Sequence, residues 1–365
     1  MIPKDMKTLR IFVVAALAAA LLPGCRRPAG ELLTINLPEL AGAELQTAWT
    51  LDGTVNPEAY YEMAPDRPLG YVRMTGYHDG LLLVSIRDSV HLVGGDGRFV
   101  SSFCRNGNGP QEYLAANMFF DPEGRILALD MMKHRSLTYL TDGTFVSAQD
   151  SVFIVDVHFF PDGSRAQMCP PHYMEGVESI FTVEAPDGST RYASPERDAS
   201  EKMISLGAGN FIAAEDGSCY FKYSNLDTLY HIRPDRVVAE AVFVRPSKPD
   251  DLVEDTADGT VAITMTVGRF VDRSCKVLGD LLFYSFRDGD EKKTHHLVYN
   301  LRTGGMLYHG LEAPLLRVGD AQVRTWPSFV SGNDAWCQLS REDAETLLPD
   351  YNDDSNDAYL HIVSR

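Results

Sequence analysis

Four polar side chains in this chain of 365 residues stand in runs that read as strand interiors: Arg73, Asn117, Asp156 and His158. In Val155-Asp156-Val157-His158, strand alternation puts the carboxylate and the imidazole on one face and the two valines on the other. A carboxylate, an amide and an imidazole converging in a cavity are ligand types for a divalent cation that activates water. Three such groups are few for a hard cation, and the Arg73 charge opposes one. The residue types therefore point to a channel of hydrogen-bonded polar groups and water, with no metal and no cofactor. Asp353, Ser355 and Asp357 echo a calcium loop but lack its glycine and its terminal bidentate glutamate. There is no Gly-x-Ser-x-Gly elbow and no His-Glu-x-x-His helix, so no catalytic residue is assigned.

A second constellation is Arg105-Asn106-Gly107-Asn108-Gly109-Pro110-Gln111-Glu112-Tyr113. Its Gly-x-Gly suggests a phosphate loop, yet no helix follows to aim an N-terminus at an anion, and the Gly-Lys-Ser/Thr ending is missing. We expect Gly107 and Gly109 to supply positive φ, and Pro110 to push Gly109 into an extended conformation. Gly107, Gly109, Pro110, Glu112 and Tyr113 thus read as a crossover between two sheets.

The elements that would position these groups repeat six times. Turns at Asp79-Gly80, Glu123-Gly124, Asp162-Gly163, Asp216-Gly217, Gly279-Asp280 and Gly332-Asn333 each precede a short apolar run, such as Leu81 to Val84 or Leu281 to Tyr284. A second run with alternating character follows, such as Val90 to Val93 or Leu297 to Asn300. Five modules then show a second turn and an outer strand, and the sixth does not. Repeats of roughly 40 to 60 residues with several strands apiece give an all-β, six-bladed β-propeller with four-stranded antiparallel blades. The chain ends at Arg365, just after the third strand of the last module. An N-terminal strand must therefore close the ring and cover that edge. Leu32 to Leu37 is the first choice and Leu45 to Leu51 the second. Pro57 to Tyr61 suggests a short helix, as does Arg341 to Glu345 after the capping residue Ser340. Pro246 to Gly259 reads as a long excursion between strands.

Residues 1–24 have the form of a signal peptide: Lys4, Lys7 and Arg10, then the apolar run Ile11 to Leu22, then Pro23-Gly24 before Cys25. A cysteine in that setting is a lipidation site, and acyl chains there would anchor the protein to a membrane. Residues 25–30 would be the lipidated tether and residues 31–365 a single propeller domain. Acidic residues outnumber basic ones, 51 to 33, for a formal net charge of −18. Such a surface argues against nucleic acid as a partner. Beyond Cys25 there are five cysteines, an odd number at wide spacings, so at least one thiol is free within the chain.

The run Gly107 to Tyr113, with Asp121 to Asp130 and Thr141 to Val146, resembles the six-bladed propeller lipoproteins of Bacteroidales, a TolB-like group related in blade pattern to NHL repeats. The Cys25 lipobox and the ending Ser355 to Ile362 share the resemblance, which covers residues 30 to 365. It implies fold and envelope location but transfers no catalytic residues. Arg26 and Arg27 replace the acidic stretch that resembles a surface-export signal, which favours an outer-membrane anchor facing the periplasm. The expected role is a binding module for an envelope protein, small molecule or peptide at the channel mouth. The alternative is a metal-dependent hydrolase or lyase of lactonase type, which needs at least three oxygen ligands from different blades.

Overall fold

The structure is a computed structural model that describes residues 27, 31–46, 49–65, 69, 72–86, 88–169, 179–194, 209–223, 226–245, 269–351 and 357–365, with the backbone of 251–255 and 261–265. The signal peptide, Cys25, Asp353 and Ser355 lie outside the described residues.

Five blades are consecutive up-and-down meanders. Blade 1 is Arg73–His78, Leu81–Ile86, Ser89–Gly94 and Phe99–Cys104; blade 2 is Ala116–Phe120, Ile126–Asp130, Arg135–Tyr139 and Phe145–Asp150. Blade 3 is Asp156–Phe159, Arg165–Met168, Phe181–Glu184 and Thr190–Ala193; blade 4 is Phe211–Ala213, Cys219–Phe221, Thr228–Arg233 and Arg236–Val244. Blade 5 is Phe270–Leu278, Leu281–Asp288, Lys293–Asn300 and Met306–Gly310. Blade 6 takes Pro327–Ser331, Asp334–Gln338 and Ala358–Ser364 from the end of the chain. The inner strands of blades 4 and 6 meet at one bridge, Ala213 to Ser331, which makes those two blades one continuous sheet.

All six turn glycines adopt positive φ, from +55° at Gly279 to +80° at Gly80 and Gly163, a region that glycine enters without steric cost. Two of them also serve the ring. A side chain at Gly124 would lie 2.8 Å from His78 Nε2, and one at Gly217 would lie 2.6 Å from Pro161 Cγ. The bare turn is where the neighbouring blade rests.

Ring closure differs from the sequence expectation. The strand that completes blade 6 is Val55–Glu62, antiparallel to Ala358–Ser364, and not Leu32 to Leu37 or Leu45 to Leu51. Pro57 to Tyr61 is therefore strand rather than helix. Pro57 is tolerated because this is the outer strand of the blade, and the register shifts between Pro57 and Ala59. Tyr61 fixes the seam by accepting a 2.9 Å hydrogen bond from buried Trp336 Nε1. The segment Leu33–Asn36 instead runs parallel to Arg236–Val244 as a fifth strand on blade 4.

From there the N-terminal segment crosses blade 5. A short helix follows over Leu37–Ala41, Gln46 bonds both backbone polar groups of His309, and Trp49 stacks on Tyr308. Thr50 then bridges to Leu315, in a hairpin of Leu315–Val318 and Ala321–Arg324. Leu33, Ile35, Leu37 and Leu51 belong to the same buried cluster as Phe243, Phe283 and Leu360, so blades 4 to 6 and this belt share one core. Ser340 caps the helix Arg341–Leu347 as expected, accepting from Asp343 N–H at 3.1 Å. The expected excursion after Pro246 contains a hairpin of Asp251–Asp255 and Val261–Met265, and the rest of it lies outside the described residues.

Blade 5 also buries a histidine pair, with His295 Nδ1 3.0 Å from His309 Nε2. One ring must donate and the other accept, so the two cannot both be protonated. Burial lowers both pKa values, that of His309 to about 4.

Candidate functional site

The central channel is a cavity of about 520 Å³ reached by side chains from all six blades. Its walls mix apolar and polar surface: Phe120, Phe160, Phe211, Phe329 and Tyr359 supply rings, and Arg73, Asp156, His158 and Lys276 supply charge or titratable groups. A concave site that combines aromatic rings with a few charged groups suits a small ligand.

The sequence candidates turn out to belong to a structural ring. Arg73, Asn117, Asp156, Asn210, Asp272 and Thr325 each stand seven positions before a turn glycine, at the entrance to an inner strand. Several of them tie one blade to the next. Asn117 donates to the Val155 carbonyl of blade 3 at 2.8 Å and lies at the interface between blades 2 and 3 rather than in the channel, which corrects that expectation. Asp156 is 1% exposed and accepts from Asn210 N–H at 2.7 Å, Asn210 Nδ2 at 3.0 Å and Val157 N–H at 3.0 Å. Burial outweighs these bonds and pushes its carboxyl up to about 6. His158 shares that face as alternation required, and its Nε2–H donates to the Gly217 carbonyl at 3.1 Å. Burial lowers its pKa, so the ring is neutral. Both groups line the channel, but their polar atoms serve blade 4.

Asp272 anchors a buried network between blades 4 and 5. It takes Lys222 Nζ at 2.5 Å and Arg245 Nη2 at 3.0 Å, with the Tyr284 hydroxyl donating to it as well. Arg245 Nε also faces Asp227 at 2.8 Å. Every charge there has an opposite partner.

Lys276, which the sequence reading missed, is different. It lies on the inner strand of blade 5, lines the channel, and among the described residues its ammonium makes no hydrogen bond or ion pair. Burial lowers its pKa, the Arg73 charge adds to that, and Asp156 partly opposes it. The available signal was a lysine three residues before a turn glycine inside an apolar run, Cys275-Lys276-Val277-Leu278. Among the described residues, no group of three His, Cys, Asp or Glu side chains converges as a metal site would require.

The Gly107 to Tyr113 crossover is saturated by its own chain. The Glu112 carboxylate accepts from Gly109 N–H at 2.7 Å and fills the space that side chains at Gly107 and Gly109 would occupy. These glycines are thus required by close approach, not by positive φ as the sequence suggested, since neither is among the positive-φ residues. Lys133 Nζ donates to the carbonyls of Gly107 at 2.6 Å and Glu112 at 2.9 Å, and Arg135 binds those of Gly109 and Pro110. The Tyr113 hydroxyl donates to the Asp88 carbonyl at 2.7 Å. Cations spent on carbonyls are not offered to a phosphate. The five cysteines 104, 169, 219, 275 and 337 are all free thiols.

Against this geometry, a family of 6-bladed beta-propellers, DUF5128, matches residues 65–310. The chain belongs to that family. Among solved structures it is similar to a candidate exported protein from Bacteroides fragilis, at 14% identity and a TM-score of 0.64, covering 92% of this chain and 100% of the other. A DUF4221 family member from Bacteroides vulgatus aligns at 8% identity and a TM-score of 0.46, over 85% of this chain and 98% of its own. An inactive virginiamycin B lyase from Staphylococcus aureus aligns at 8% identity and a TM-score of 0.40, over 84% and 99%. The first likeness shows the shared fold, and the other two are too distant to bear on function. No curated protein matches the sequence.

Proposed function

We propose that this DUF5128 propeller is a lipid-anchored envelope protein that binds a small molecule or peptide in its central channel, holding an anionic group of that ligand on Lys276. The observation that carries the reading is an ammonium lining a cavity partly walled by aromatic rings, with no acceptor of its own among the described residues. A half-buried cation without a partner is incompletely solvated, and an incoming carboxylate answers it with a charge-assisted hydrogen bond. The aromatic walls fit an apolar or aromatic body beside the anionic group. The signal sequence and Cys25 support anchoring, Arg26 and Arg27 support a periplasm-facing outer-membrane position, and the likeness to a candidate exported protein agrees with passage across the inner membrane.

Calorimetric titration with phenylalanine-ended tripeptides, carrying either a free or an amidated C-terminus, tests the site. A charge-assisted hydrogen bond of about 1.5–3 kcal/mol makes the free acids roughly 10- to 150-fold tighter. Lys276→Met should erase that preference. Equal binding of acid and amide, or a preference that survives Lys276→Met, would reject the assignment.

A further inference from the structure

We propose that the rim where blades 4 and 5 meet is the face this protein lays against a lipid bilayer, an inference that rests on acylation of Cys25. Arg27 is clamped by both blades: its N–H donates to the Arg302 carbonyl of blade 5 at 2.8 Å, and its guanidinium pairs with Glu240 of blade 4. Its side chain lies along the Gly304 turn, with Cδ 3.4 Å from where a β-carbon would stand there. Only Arg26 separates this clamped residue from Cys25. A fully extended chain spans at most about 3.6 Å per residue, so a two-residue tether reaches no more than roughly 7 Å from Arg27. Acyl chains starting there cannot reach lipid unless this rim touches the headgroups.

The surface around the clamp has the matching chemistry. Leu32, Val238 and Met306 are large apolar side chains with 42%, 40% and 41% of their surface exposed. Leu32 precedes Leu33, which pairs in register with Ala241, next to Glu240. Val238 stands two residues before Glu240, and Met306 two residues after Gly304. Apolar side chains with basic neighbours settle into the boundary between acyl chains and headgroups. Arg236 and Arg302 supply positive charge there, Arg302 also pairing with Asp280 at 3.2 Å, on a molecule whose net charge of −18 would otherwise be repelled by anionic lipid.

The test uses the full-length acylated protein in vesicles of phosphatidylethanolamine and phosphatidylglycerol, in a Cys104→Ser background. An environment-sensitive fluorophore is attached through Met306→Cys on this rim or Val146→Cys on the outer strand of blade 2, and quenched by lipids spin-labelled near the headgroup. The expected result is at least severalfold stronger quenching from position 306 than from 146. Flotation with the vesicles and mass spectrometry of the Cys25 peptide are read in parallel. A protein that is acylated and floats, yet shows equal quenching at both positions, overturns the orientation while leaving the anchor standing. A Cys25 without acyl chains overturns both.

Discussion

Two lysines on adjacent blades show how this molecule separates structure from function. Lys222 sits in the network between blades 4 and 5, bonded to Asp272 and to the Tyr223 carbonyl, with its ammonium over the Phe243 ring. Lys276, four positions beyond Asp272 on the same inner strand of blade 5, faces the channel with no such partner among the described residues. Lys222 is buried and Lys276 half-buried, yet only the first is answered from within the protein. A saturated ion network holds blades together, while an unanswered charge in a cavity is available to a ligand.

The largest effect should come from breaking the saturated side. Lys222→Met leaves Asp272 with one cation instead of two in a buried site, and disruption of such pairs costs about 3–5 kcal/mol. Lys276→Met should change stability by less than about 1 kcal/mol, or raise it, because a half-buried charge without a partner is removed. Urea denaturation of the two variants side by side checks the contrast, and comparable losses would erase it.

An intermediate effect sharpens the same distinction at the polar ring. Asn210→Ala deprives the Asp156 carboxylate of its side-chain donor, at a cost of about 1–2 kcal/mol in denaturation at pH 8. A neutral outcome would mean that Asp156 does not depend on blade 4 for its partners.

The smallest effect is in the pH dependence. Burial lowers His309 and His231 to about 4 in the folded protein, whereas unfolded histidine titrates near 6.5. Between those values the unfolded chain binds more protons, so their contribution is complete above about pH 6.5 and is lost as pH falls toward 4. Asp156 has the opposite sign. Its folded pKa of about 6 lies above the unfolded value, so it adds stability at low pH and loses it as pH rises through 6. Two histidines against one aspartate give a net loss on acidification. Asp156→Asn removes the opposing group, so the loss should steepen by about 1.4 kcal/mol per pH unit near pH 5. An unchanged slope would show that the Asp156 carboxyl is not shifted.

The repeat was legible because each blade needs a positive-φ turn, and Asp-Gly or Gly-Asp pairs mark that turn in four of the six modules, with Glu-Gly and Gly-Asn serving the same geometry in the other two. The closing strand was not, because Val55-Asn56-Pro57-Glu58-Ala59-Tyr60-Tyr61-Glu62 has a proline and a register shift that spoil its alternation. Leu33 to Asn36 has the stronger β pattern, but that pattern serves the edge of blade 4. For the site, residue type found Asp156 and His158 and put them correctly on one face. It could not tell that their polar atoms were already committed to Asn210 and Gly217, since partners from another blade leave no local trace. Lys276 escaped for the converse reason: its significance is the lack of a partner, which only the assembled ring displays.

The most direct test of the channel assignment is a crystal structure with a phenylalanine-ended tripeptide soaked in as the free acid. The account predicts its carboxylate within about 2.7–2.9 Å of Lys276 Nζ and its phenyl ring against the aromatic wall. A peptide bound with its carboxylate away from Lys276, or a channel that stays free of peptide at saturating concentration, would contradict it.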